Sequence, residues 1–177
     1  RSATDKPVYA YISGTAASGG YWAATAADRI IADTGSSVGS IGVIFGPFKY
    51  YDTVTSEDGG IFTGGVVTQK GIQTTYITAG RSKDIGNPYR QLTTAELESL
   101  QESVDDVYQV FVKAVAEGRE IDESAVTDEL GAMIYSEKQA IDRDMIDAVG
   151  TRDSVEAELA QASGVTDDDY QMVGITS

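Results

Sequence analysis

The stretch from Pro7 to Ala32 constrains the fold of this chain more than any other. Val8, Tyr9, Tyr11 and Ile12 favour extended backbone, so residues 7–12 read as a buried strand. Ser13 to Ala17 forms a tight connection, and a helix is expected from about Ser18 through Ala27. Its side chains are mostly small, which lets it approach its neighbours closely. Arg29–Ala32 is a second short apolar strand. Strand, turn, helix and strand in that order predict a right-handed βαβ unit and a parallel sheet, hence an α/β fold.

The rest of the chain fills in around that unit. Gly35 to Gly46 is rich in glycine and serine around Ile41-Gly42-Val43-Ile44, which reads as a further short strand. Residues 48–54 fit a short helix, 56–65 a surface loop, and 72–78 a strand leading into a loop of turn residues over 79–88. Thr93 and Glu96 have the spacing of a capping box, and Leu97, Leu100, Val104, Val107, Phe111, Ala114 and Val115 hold one apolar helix face. A second helix is expected over 122–130 and a short strand over 133–135, with another capping box at Ser136 and Gln139. Arg152–Ala162 reads as a final helix and 170–175 as a terminal strand. No internal repeat or second domain is evident in the 177 residues, a length that suits one domain.

Composition narrows the chemistry. The chain contains no histidine and no cysteine, so neither a Ser-His-Asp triad nor thiol catalysis can be assembled from it. The same gap disfavours zinc and leaves only an all-oxygen cation site conceivable; no cofactor is expected. The net charge of −15, from 28 acidic and 13 basic residues, repels nucleic acid and anionic lipid. It fits either an ordinary acidic domain or a halophilic one, whose charge is screened by high salt. No run of residues is long and apolar enough to span a membrane. The abrupt opening, without a secretory signal pattern, is expected of a piece of a longer protein.

Ser18, in Gly14-Thr15-Ala16-Ala17-Ser18-Gly19-Gly20-Tyr21-Trp22, stands where a strand feeds a helix. Serines in such runs are commonly turn or cap residues, and Ala16 departs from the G-x-S-x-G elbow. A nucleophile here would nevertheless sit near the positive end of a helix, with the Gly19 N–H as an oxyanion donor. Gly14 and Gly19 also have phosphate-loop spacing, but Gly20-Tyr21 stands where Lys-Ser/Thr is needed. Without histidine the base has to be a lysine, a carboxylate, or a group on another chain. The lysines are Lys6, Lys49, Lys70, Lys83, Lys113 and Lys138. Lys83 lies in the Gly/Pro-bounded loop, the kind of segment that lines a site. A lysine base must be neutral, which requires lowering an ordinary pKa by roughly 2–3 units through burial. Arg81 would help that shift and Asp84 oppose it. Asp105-Asp106 and Asp167–Asp169 read as solvated clusters rather than paired catalytic carboxylates.

Three blocks resemble the signal peptide peptidase A type serine proteases, which share a superfold with Clp protease and crotonase. The first runs from Lys6-Pro7 through Thr15-Ala16-Ala17-Ser18-Gly19-Gly20-Tyr21 and Ala26-Ala27-Asp28-Arg29-Ile30 to Gly39-Ser40-Ile41-Gly42-Val43. The second is Ala79-Gly80-Arg81-Ser82-Lys83-Asp84-Ile85-Gly86-Asn87-Pro88-Tyr89-Arg90. The third is Tyr135-Ser136-Glu137-Lys138-Gln139-Ala140, continuing through Met145-Ile146-Asp147-Ala148-Val149-Gly150. The resemblance implies a Clp protease/crotonase-like α/β fold of repeated β-β-α units, truncated at the N-terminus. Residues 1–177 would then be a single protease domain, the C-terminal portion of a longer, membrane-anchored protein, with 56–65 an insertion between the catalytic residues. It implies Ser18 as nucleophile, Lys83 as general base and the Gly19 N–H as oxyanion donor.

Signal peptides or other short hydrophobic peptides would be the substrates. A homo-oligomer at the cell membrane, with the protease domain on the extracytoplasmic face and attached through a segment absent here, is also implied. The family's Gly-rich oxyanion loop, which precedes the first block, is likewise not in this sequence. Two other functions fit the same superfold: an acyl-CoA hydratase or isomerase, needing a CoA pocket and a catalytic carboxylate, and a catalytically silent scaffold of a membrane assembly.

Overall fold

The computed structural model describes residues 5–52, 56–57, 66–67, 71–165 and 170–174. Its elements begin with β1 (Tyr9–Ile12), β2 (Thr15–Ala17), α1 (Gly19–Ala24), β3 (Arg29–Ala32) and β4 (Ser37–Gly39). The two-residue strands β5 (Ser56–Glu57) and β6 (Val66–Val67) follow, then the long helix α2 (Thr94–Arg119). A π-helical turn at Ala125–Leu130 precedes β7 (Ile134–Ser136), α3 (Glu137–Ile141), β8 (Ala148–Val149) and α4 (Arg152–Ala162). These elements fall into two compact bodies, one made by residues up to Val43 with those from Asp106 onward, the other by Ile44–Asp105.

The first body is a mixed α/β structure with two three-stranded sheets, β1-β3-β8 and β2-β4-β7. Tyr9 pairs with Arg29 and Ile12 with Ala32, all in parallel, and β8 adds to β3 in the same sense. In the second sheet β2 runs parallel to β4 and β7 antiparallel to it. Consecutive strands therefore alternate between sheets: β1 to β2, then β3 to β4. Ser36 holds the corner at which the chain changes sheet, between β1 and β2 and again between β3 and β4. It is 2% exposed, and its hydroxyl donates to the Ile12 carbonyl while accepting from the Gly14 N–H, each at 3.0 Å.

The core of this body gathers Ile12, Tyr21, Ile30, Val38 and Ile41 with Phe111, Val115, Val126, Leu130 and Met145. Trp22 stacks on Phe111, with ring centroids 4.6 Å apart. Tyr21 is fully buried and donates its hydroxyl to the Met145 carbonyl at 2.8 Å. That burial raises the phenol's pKa well above its usual value. Asp147 accepts from the Ile30 N–H at 2.6 Å and from both terminal nitrogens of Arg119. Burial pushes its pKa up, but these donors and the Arg119 charge hold it below the ordinary carboxylate value.

Several expectations need correction. Residues 15–17 are a strand and not part of a tight connection, because pairing with β4 outweighs their weak intrinsic preference. The first helix stops at Ala24 rather than Ala27. The strand expected around Ile41–Ile44 lies earlier, at Ser37–Gly39, and Ile44 is exposed. The helix at 122–130 is mostly a π-helical turn. Met133 lies just before β7, which runs on through Ser136.

In the second body, residues 48–52 form no helix and 72–78 no strand. Ile77 is 97% exposed, so no neighbour among the described residues covers the face that a strand would present. Ser56 and Glu57 pair with Val67 and Val66, whereas 58–65, most of the expected surface loop, lie outside the described residues. The terminal strand is likewise absent over 170–174, and Ile175 lies outside the description. Both capping boxes form as expected: Thr93 with Glu96, and Ser136 with Gln139. No described helix is long and apolar enough to cross a membrane.

Candidate active site

Ser18 occupies the single residue between β2 and α1. Its backbone takes φ 53° and ψ −124°, a left-handed conformation that costs a non-glycine residue about 1–3 kcal/mol. Both of its main-chain groups are tied. The N–H donates to the Gly39 carbonyl at 2.9 Å, and the carbonyl accepts from the Trp22 N–H at 2.9 Å. The side chain is left over: it is exposed and makes no capping bond to the helix it precedes. A strand entering a helix through a strained residue presents that residue's hydroxyl outward, the geometry of a nucleophile elbow.

Gly39 is what makes the brace possible. At φ 128° it ends β4, and a Cβ there would collide with the Met133 carbonyl oxygen. The next residue, Ser40, donates its N–H to that same oxygen at 2.7 Å. On the other side of Ser18, a Cβ at Gly19 or Gly20 would meet no atom within 4 Å. These glycines therefore leave open space over the first N–H groups of α1, which have no acceptor inside the helix. With only six residues, α1 offers those N–H groups rather than a strong dipole.

Lys83 belongs to the other body, in a chain of tight turns. Its N–H reaches the Gly80 carbonyl at 3.4 Å, Ile85 reaches Ser82 at 3.1 Å, and Asn87 reaches Asp84 at 3.0 Å. The left-handed residues Gly80, Ser82 and Gly86 make these reversals. The Lys83 side chain is exposed and has no ion pair among the described residues. The described alternatives are ordinary surface lysines: Lys6, Lys49 and Lys138 are exposed, and Lys113 faces Glu117 at 3.8 Å on α2. Lys70 lies outside the described residues.

What the sequence did not reveal is the cluster beside Lys83. Arg90 donates Nε and one Nη to the two oxygens of Asp84, at 2.8 and 2.7 Å. It also donates to both oxygens of Glu96, at 2.8 and 2.9 Å, and to the Gln91 carbonyl at 3.0 Å. All five guanidinium donors are thus used. Glu96 is 7% exposed and also accepts the Thr93 N–H at 2.9 Å. Hydrogen bonds from Arg90 pull Asp84 down to about 2, and hydrogen bonds from Arg90 and Ser82 hold Glu96 well below the carboxylate range. The carboxylate expected to oppose a neutral Lys83 is therefore already paired. A capping box and an Asp six residues before an Arg were the only sequence signals of this cluster. A cleft of about 550 Å³ opens beside it, lined by Arg81, Ser82, Ile85, Ser99 and Leu100 among others.

Residues 1–166 match peptidase family S49, and the chain belongs to that family. A protease-named chain of Methanocaldococcus jannaschii is 35% identical over 98% of this chain and 51% of its own length. One from Enterococcus faecium, named for signal peptide peptidase SppA, is 30% identical over 92% of this chain and 44% of its own. The chloroplastic serine protease SPPA of Arabidopsis thaliana is 31% identical over 84% of this chain and 20% of its own. The chain spans about half the length of the first two.

Proposed function

We propose that this chain carries the catalytic residues of a serine endopeptidase working through a Ser-Lys dyad. The observation that carries the reading is the elbow at Ser18: a strained, backbone-braced serine whose hydroxyl is exposed and uncapped, in a member of a peptidase family. The sequence holds no histidine or cysteine, which is compatible with a lysine base, and the resemblance to the family points to Lys83.

Lys83, exposed in the free chain, acts as the free amine once bound peptide shields it from water, and takes the proton from Ser18 Oγ as the oxygen attacks a peptide carbonyl. The Gly19 N–H donates to the oxyanion of the tetrahedral intermediate. Collapse transfers the proton from Lys83 to the leaving amine and leaves an acyl group on Ser18. Water, deprotonated by the same lysine, then releases the acid and restores the serine. Short hydrophobic peptides, signal peptides among them, are the proposed substrates; the Enterococcus relative's name points the same way. A homo-oligomer at a membrane, with this domain on the extracytoplasmic face, goes with this reading. The net charge of −15 fits a halophilic setting.

Steady-state hydrolysis of a hydrophobic reporter peptide by the full-length protein tests the chemistry. Ser18→Ala and Lys83→Ala are each expected to lower kcat by about 10³-fold or more. Turnover of either variant within a few-fold of wild type would remove the dyad.

A further inference from the structure

Asp84, the residue after Lys83, is joined to Glu96 in the first turn of α2 through the shared guanidinium of Arg90. We propose that Arg90 is a positioning residue for Lys83: its fully used fork ties the lysine's turn to the first turn of α2 and offsets the charge of Asp84, the next residue in the sequence. The inference rests on the reading of Lys83 as the base.

Geometry and charge both support it. The side chains of Asp84 and Arg90 are 22% and 30% exposed, so their pairing is partly shielded from water. Five donors held in one plane cannot be reproduced by a lysine ammonium, which makes Arg90→Lys a geometric lesion that keeps the charge. The other charged groups of this neighbourhood are Arg81 in the same turn, Glu96 on α2, and Lys49, which lines a second cleft with Asn87 and Arg90. Asp84, Glu96 and Arg90 sum to one negative charge. Removing Arg90 makes that two, which favours the ammonium form of Lys83. Neutralising Glu96 makes it zero, which favours the free amine.

The test is the pH profile of kcat/KM for peptide hydrolysis by the full-length protein. For Arg90→Met the rising limb is expected to move alkaline by about one unit. Activity at pH 7 should fall by about 10²-fold from the combined loss of base and position. Adding Asp84→Asn should return the limb to its wild-type place. Glu96→Gln, which keeps the Arg90–Asp84 fork, should move the limb to lower pH and serves alone if Arg90→Met does not fold. Arg90→Lys should lower kcat with little movement of the limb. A limb unmoved in Arg90→Met and Glu96→Gln would overturn the proposal and leave Arg90 a structural residue. Lys83→Ala separates the two levels. If it stays active, the dyad itself is wrong and the positioning role goes with it; if it is dead while the limbs do not move, only the role of Arg90 is lost.

Discussion

The surroundings of Ser18 and of Lys83 are built by different physics. Ser18 is placed by backbone alone: a parallel strand leads in, a helix leads out, and the Gly39 carbonyl holds its N–H. Behind it lies an apolar core in which Tyr21 and Phe111 are almost wholly buried. Lys83 sits in consecutive turns without a strand or a helix of its own, and the order of that loop comes from one guanidinium and two carboxylates. A nucleophile needs a fixed direction, which a strained backbone supplies. A base needs a controlled proton affinity, which nearby charge can set. The first arrangement is insensitive to pH and salt; the second is not.

The sharpest way to break the Ser18 side is Gly39→Ala. A methyl at φ 128° facing the Met133 carbonyl should destabilise the fold by about 3 kcal/mol, read as a lowered urea midpoint. A midpoint within error of wild type would mean that β4 does not brace the elbow tightly.

The charged side is expected to yield to acid. Asp84 and Glu96 are both held below their ordinary values of 3.8 and 4.5, so they stabilise the fold in full above about pH 4.5. That contribution fades as pH falls towards 2. Unfolding midpoints followed from pH 6 to 2 should therefore drop in wild type and drop less in Arg90→Met, whose carboxylates have lost their partner. Parallel curves would show that Arg90 does not carry this linkage.

The smallest effect isolates strain at Ser18. Ser18→Gly and Ser18→Ala both delete the hydroxyl, but only glycine relaxes at φ 53°. The glycine variant is expected to be the more stable of the two by about 1 kcal/mol, the reverse of the usual order in a helix or strand. Thermal unfolding of the pair measures it; an alanine variant as stable as the glycine one would remove the strain.

The sequence spoke clearly wherever structure is local. β3 and α4 have the bounds their apolar pattern and flanking residues predict, and both capping boxes close. These are decided by a few adjacent side chains. β2 was illegible because Thr15-Ala16-Ala17 has little strand preference, and only partnership with β4 makes it extended. The reverse error occurred at 72–78, where β-branched residues alternate but no partner strand is present among the described residues. Ser18 was legible as a candidate, yet its backbone conformation was not, since that depends on the Gly39 carbonyl from another strand. Arg90 remained hidden because its meaning lies in two carboxylates brought together by turns that composition alone does not specify.

Covalent labelling of the full-length protein with a fluorophosphonate asks the central question most directly. Wild type should be labelled, with the adduct on Ser18 by mass spectrometry, and both Ser18→Ala and Lys83→Ala should lose the signal. Equal labelling of all three proteins, or an adduct on any other residue, would contradict a Ser18–Lys83 dyad.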